Sequence, residues 1–151
     1  MYYKKLNWPT LDSEQHNELI SLVKNSTNSK GIGIWGDFYH HYDLPESIRT
    51  WCKENLPITD DYQLVLQRFF NVESIPLHPD INRKENFIYL LSESGPVTRW
   101  QKRGVILAEV CVPQYQWFSL DVGTPHEVLG LKDDRIAISI FKTVPINKKS
   151  L

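Results

Sequence analysis

Two rhythms of hydrophobic residues divide the chain near residue 60. Before that point apolar positions recur at helical spacing. Leu19, Ile20, Leu22 and Val23 form one side of a segment that Asp12 or Ser13 can cap and that runs to about Lys24. Asn25 to Gly33 is rich in helix breakers and reads as a connection. A second helix begins at Pro45, carries Ile48, Trp51 and Cys52 at helical spacing, and stops at Pro57 after Asn55-Leu56. Between the two lies an aromatic-rich loop, Trp35 to Tyr42.

From Asp60 the pattern changes to short β-rich runs separated by Pro, Gly, Asn and Asp. Eight strands are predicted: Gln63 to Phe70, Ile75 to His78, Phe87 to Ser92, Val97 to Trp100, Ala108 to Val112, Gln116 to Asp121, His126 to Leu129, and Arg135 to Thr143. Strands without helices between them predict a mainly β fold, a double-stranded β-helix or jelly-roll of the cupin-like kind. In the last run Arg135, Ala137 and Ser139 share one face while Ile136, Ile138 and Ile140 share the other. The Arg face is expected to line the barrel. The isoleucine face is expected to lie under the two N-terminal helices, packed on the outer face of the major sheet.

A chain of 151 residues fits one domain, with 1–60 as a helical N-terminal part, 61–144 as the jelly-roll core and 145–151 as a frayed tail. A net charge of -1 gives no electrostatic footprint for nucleic acid or an acidic membrane. No segment approaches the about 20 apolar residues of a membrane span. The opening residues also lack the apolar stretch of a signal peptide. Cys52, in a predicted helix, and Cys111, in a predicted strand, read as small buried hydrophobes, and a cytoplasmic setting is expected.

The candidate chemistry follows from the strand order. His78 and Asp80 end the second predicted strand and His126 opens the seventh. In a jelly-roll those strands are antiparallel neighbours, so the three residues converge at one mouth of the barrel. Two imidazoles and a carboxylate occupy one face of a metal ion and leave the other positions open. His78-Pro79-Asp80 alone is better explained by a capped loop histidine; the register with His126 and Arg135 is what favours a metal. Arg135 opens the eighth strand, and its guanidinium suits a carboxylate held by two parallel hydrogen bonds. His40 and His41 read as exposed loop histidines, and Asp121 as a turn former or a support for the distal histidine. Trp35, Phe38, Tyr39, Trp100 and Trp117 are expected to wall the mouth or to pack the core. The loops Ser92 to Gly104 and Trp35 to Tyr42 are expected to frame it.

These residues resemble the Fe(II)- and 2-oxoglutarate-dependent dioxygenases, over roughly Gln63 to Phe141. The stretch His-Pro-Asp-Ile-Asn-Arg-Lys from His78, together with Trp117 to Asp121, Thr124 to Val128 and Arg135, is most similar to the aspartyl/asparaginyl β-hydroxylase branch and to small phage and bacterial oxygenase-like proteins. The resemblance implies Fe(II) held by His78, Asp80 and His126, with 2-oxoglutarate as cosubstrate and its distal carboxylate on Arg135. It implies hydroxylation of a C–H bond with dioxygen, on a protein or amino-acid side chain. Two departures stand out. Ala137 occupies a place where many members have Ser, leaving Ser139 as the hydroxyl near the cosubstrate. Tyr89 lies in the strand where related short members carry Asn, and it reads either as a cosubstrate donor or as a core aromatic. Arg83, Trp100 and Trp117 are the substrate-contact candidates, with Arg83 and Lys84 otherwise solvated. Two other readings remain: a cupin-type metalloenzyme that does not use 2-oxoglutarate, whose usual His-x-His and Glu are missing here, and a non-catalytic jelly-roll binding protein.

Overall fold

The computed structural model describes residues 1–144; the predicted tail at 145–151 lies outside the described residues. The chain runs β1 (Tyr3–Lys5), α1 (Ser13–Asn25), β2 (Lys30–Gly31), a 3-10 turn (Gly33–Trp35), β3 (Tyr39–Tyr42), α2 (Glu46–Asn55), β4 (Gln63–Phe69), β5 (Ser74–His78), β6 (Arg83–Leu90), β7 (Val97–Lys102), β8 (Val105–Val110), β9 (Trp117–Leu120), β10 (His126–Leu129) and β11 (Arg135–Thr143). One sheet has the order β1-β9-β6-β11-β4-β3-β2 and the other β5-β10-β7-β8. Neighbouring strands are antiparallel throughout. This is the expected jelly-roll, and each of the eight predicted runs overlaps a strand, with β6 and β8 beginning earlier than predicted, at Arg83 and Val105.

The helices form where the sequence supplies both a cap and an apolar stripe. Asp12 Oδ1 accepts from the Gln15 N–H at 2.8 Å, and the Asp12 N–H donates to Gln15 Oε1 at 2.9 Å, closing a capping box ahead of α1. Leu19 and Val23 from α1, with Ile48 and Cys52 from α2, pack against Leu64, Leu66, Ile136, Ile138 and Ile140 of the larger sheet. Burying each isoleucine contributes about 1.5–3 kcal/mol. Both helices therefore cover the outer face of the major sheet, as the alternation in β11 requires. Burial pushes the Cys52 thiol up to about 12, which suits a packing residue.

Four expectations need correction. The first sixty residues are not only helical: β1 extends the major sheet beside β9, and β2 and β3 extend its other edge beside β4. These strands are too short to show a period in the sequence. Half of the aromatic loop is β3, so His40 and His41 are partly buried strand residues rather than exposed loop residues. His40 Nε2 donates to the Gly36 carbonyl at 2.8 Å, while Nδ1 lies 2.7 Å from Ser29 Oγ. Cys111 is exposed, because β8 ends at Val110 before it can be carried inward. Finally, only part of Ser92 to Gly104 reaches the mouth: Thr98 and Trp100 line the cavity, and the Gln101 N–H donates to the Pro125 carbonyl beside His126. Val97 pairs with Leu129 and Trp100 with His126, so Ser92 to Pro96 lies at the far end of the barrel beside Gly130 to Asp134.

His41 points to the interior beside Tyr39, whose hydroxyl is 2.6 Å from His41 Nε2 and donates to Gln67 Oε1 at 3.2 Å. Burial, then the charges of Arg83 and Lys30, lower its pKa from 6.5 to about 4. Between these values the unfolded chain binds more protons than the folded one, so stability falls as pH drops from 6.5 toward 4. His41→Gln should flatten that part of the profile. The measurement is the urea midpoint as a function of pH, with His16, also lowered by burial, supplying part of the remaining slope.

Candidate metal centre

The ends of β5 and β10 meet because His78 pairs with His126 in the antiparallel ladder. Their rings lie 4.5 Å apart, centroid to centroid. Asp80, two residues beyond β5, turns back toward both: Oδ1 is 3.5 Å from His78 Nε2 and Oδ2 is 3.7 Å from His126 Nε2. One ligand atom from each of the three residues lies within 4.8 Å of the other two.

The remaining ring nitrogens fix the tautomers. His78 Nδ1 is 2.6 Å from the Pro76 carbonyl and His126 Nδ1 is 2.8 Å from the Thr124 carbonyl. A carbonyl oxygen only accepts, so Nδ1 carries the proton and donates in both rings. In the neutral ring each Nε2 then keeps a lone pair aimed at the gap beside Asp80. Burial lowers the His126 pKa, which favours the neutral, ligating form. The donor set, two neutral imidazoles and one carboxylate in a facial arrangement, fits a divalent transition metal such as Fe(II).

Backbone and side chains beyond the three residues hold this arrangement. Asp121 Oδ1 accepts from the N–H groups of Gly123 at 2.9 Å and Thr124 at 3.2 Å, and Oδ2 accepts from Thr124 Oγ1 at 2.8 Å. That turn presents the Thr124 carbonyl to His126. Asp80 is tied to the same turn by its N–H, which donates to the Val122 carbonyl at 2.7 Å. Trp100 Nε1 donates to the Asp121 carbonyl at 2.7 Å, and the Trp35 ring stands edge-on to His78 with centroids 4.6 Å apart.

The triad opens into a cavity of about 410 Å³ that also receives Arg83, Asn86, Thr98, Trp100, Arg135 and Ser139. Arg135 is 4% exposed, and burial lowers its pKa to about 10. Among the described residues no carboxylate pairs with it. Its sequence neighbour Asp134 is instead held by Arg68, with Oδ2 2.7 Å from Nε and 2.6 Å from Nη2. Thr98 Oγ1 is the one buried side-chain polar atom without a hydrogen-bond partner among the described residues, and it too lies on the cavity wall. Ser139 Oγ donates to Asn86 Oδ1 at 3.3 Å.

Two sequence candidates sit on the wrong side of the sheet. Tyr89 faces α1, where its hydroxyl accepts from the Leu11 N–H at 3.2 Å and lies 2.7 Å from His16 Nε2. Trp117 packs on Trp8 and Tyr89 and donates from Nε1 to the Pro9 carbonyl at 2.9 Å. Both are core aromatics under the N-terminal segment, and neither lines the cavity. Trp35, Tyr39 and Trp100 do line it, whereas Phe38 packs behind them. Sequence reasoning missed Thr98 and Asn86. A signal existed for Thr98: it stands two residues before Trp100 in a predicted strand and so shares its face.

No family model matches the sequence, and no curated protein matches it. Solved structures do match in fold. A Pseudomonas putida prolyl-4-hydroxylase is similar at a TM-score of 0.62 and 13% identity, over 94% of this chain and 92% of that one. The viral collagen prolyl hydroxylase vCPH from Paramecium Bursaria Chlorella virus-1, in its 2OG complex, is similar at 0.57 and 13% identity, over 97% of each chain. Against an Fe(II)-HppE the TM-score is 0.48 at 14% identity, with 74% of this chain spanning 53% of the other. At these identities the likeness establishes the architecture alone: the chain shares the jelly-roll fold of these two hydroxylases over nearly its whole length.

Proposed function

We propose that this protein is an Fe(II)- and 2-oxoglutarate-dependent oxygenase that hydroxylates a C–H bond. The observation that carries the reading is one cavity holding both a facial His78-Asp80-His126 set and a buried, unpaired Arg135. A buried guanidinium without a counter-charge is costly, and a ligand that brings a carboxylate removes that cost. Thr98 supports the same ligand, since its orphaned hydroxyl is a second donor beside the cavity. With Ala137 carrying no hydroxyl and Ser139 engaged by Asn86, Thr98 is the free hydroxyl on the wall.

In this reading His78, Asp80 and His126 hold Fe(II), while Arg135 and Thr98 orient the distal carboxylate of 2-oxoglutarate. When bound, Fe(II) lets substrate–H, 2-oxoglutarate and O2 become substrate–OH, succinate and CO2, with one oxygen atom in each of the first two products. The chain's own part is orientation and exclusion of water. Asp121 positions His126 through the Thr124 carbonyl, and Trp100, Ile88, Leu120 and Val128 wall the cavity with apolar surface. A protein or amino-acid side chain as substrate, in the manner of the aspartyl/asparaginyl hydroxylases, is part of this proposal and rests on the motif around His78. A cytoplasmic setting is supported by the free thiols of Cys52 and Cys111.

The direct test is Fe(II)-dependent conversion of 2-oxoglutarate to succinate. Turnover is expected in the unmodified protein and lost in His126→Ala; a protein that binds neither Mn(II) nor 2-oxoglutarate would sink the proposal and leave a non-catalytic jelly-roll. Metal binding without 2-oxoglutarate binding would instead favour a cupin-type metalloenzyme.

Two substitutions separate the supporting roles. Asp121→Ala should weaken Mn(II) binding about 10- to 100-fold by calorimetry, because the turn no longer holds the His126 tautomer. Thr98→Val should weaken 2-oxoglutarate binding about 10-fold or more. In the ligand-free protein the same substitution should leave the melting temperature unchanged or raised, since it removes an unsatisfied hydroxyl at constant shape.

A further inference from the structure

Charge in the cavity balances once the metal and cosubstrate are counted, yet it leaves one guanidinium with no anion against it. Asp80 and Asp121 are the carboxylates on the cavity wall, and Arg83 and Arg135 are the guanidiniums. Both oxygens of Asp121 are taken by its own turn. A divalent metal, Asp80 and Arg135 together leave a positive charge that the two carboxylates of 2-oxoglutarate cancel. Asp121 offsets Arg83 in the sum, but its oxygens are held within their own turn, so no carboxylate sits against the Arg83 guanidinium.

Its surroundings do not supply the missing anion. Arg83 opens β6, and its N–H donates to the Asp80 carbonyl at 3.4 Å, so it stands beside the metal loop. The guanidinium carbon lies 3.9 Å from the Phe141 ring centroid, which braces one face of the fork. Among the described residues no carboxylate pairs with it. Its charge acts on Tyr39 and, together with that of Lys30, on His41. The rim is thus cationic, with the Tyr39 hydroxyl and the His41 ring as neutral polar neighbours. A half-buried, pre-oriented guanidinium suits a carboxylate or phosphate.

We propose that the substrate carries a carboxylate or phosphate that Arg83 holds at the rim of the cavity, next to Asp80. This deepens the oxygenase reading and rests on it. The anchored group lies by the metal loop, so the C–H bond to be hydroxylated is near that group in the substrate rather than at the far end of a long chain.

The probes are acetate, inorganic phosphate and neutral acetamide, titrated into protein loaded with Zn(II) and 2-oxoglutarate. The readout is the Arg83 Nε–H resonance, with metal and cosubstrate binding followed by calorimetry on the same samples. Acetate and phosphate should give saturable shifts and acetamide none. Arg83→Gln should weaken anion binding about tenfold or more, read by calorimetry, whereas the exposed neighbour variant Lys84→Gln should not. Equal anion binding with and without Arg83, or no saturable binding, overturns the proposal. If the protein fails to load, the oxygenase reading has failed separately. Phosphate titrated into Arg135→Gln protein, where Arg83 is the remaining guanidinium on the cavity wall, then decides the anion site: a saturable Arg83 shift supports it and none removes it.

Discussion

Because β11 runs between β4 and β6 with helices over one face and the barrel interior on the other, neither face reaches water, and its register fixes where Arg135 lies. Ile136, Ile138 and Ile140 must point to the helices, which forces Arg135, Ala137 and Ser139 into the barrel. A slip of one residue would bury the guanidinium under α1 and α2 and turn three isoleucines into the cavity. The hydrophobic layer outside the sheet therefore sets the polar layer within it.

The second constraint is charge. Asp134 is adjacent to Arg135 in sequence but is held by Arg68 on β4, at the outer side of the sheet. With that acid diverted, Arg135 keeps its full charge in a place where water is scarce. The same logic operates at the triad, where both histidines donate through Nδ1 to backbone carbonyls and so turn Nε2 toward Asp80. In both places a hydrogen bond directed away from the cavity leaves a group inside it available to a ligand.

How much of this could be read from the sequence depended on periodicity. β11 alternates small or polar with greasy, so its faces were legible, and the meeting of His78 with His126 followed from strand order. Tyr89 and Trp117 were not assignable, because Phe87 to Leu91 is apolar at every position and Trp117-Phe118 is apolar on both faces. A strand buried on both sides carries no period to orient it. β1 and β2, at three and two residues, were invisible for a different reason: they pair through backbone groups, which every residue possesses. The orphaned hydroxyl of Thr98 depends on the absence of a partner across the barrel, which only three-dimensional placement reveals.

The first residues of the chain lie closer to the metal loop than their position suggests. The Tyr2 carbonyl accepts from the Asp121 N–H at 2.8 Å, and the rings of Tyr2 and Tyr3 each sit 5.9 Å from Trp100. Asp121 orients His126, and Trp100 pairs with it across the ladder. The amino-terminal strand is accordingly a brace for the turn that orients His126, so a change at Tyr2 or Tyr3 would reach the candidate metal site through Asp121 and Trp100.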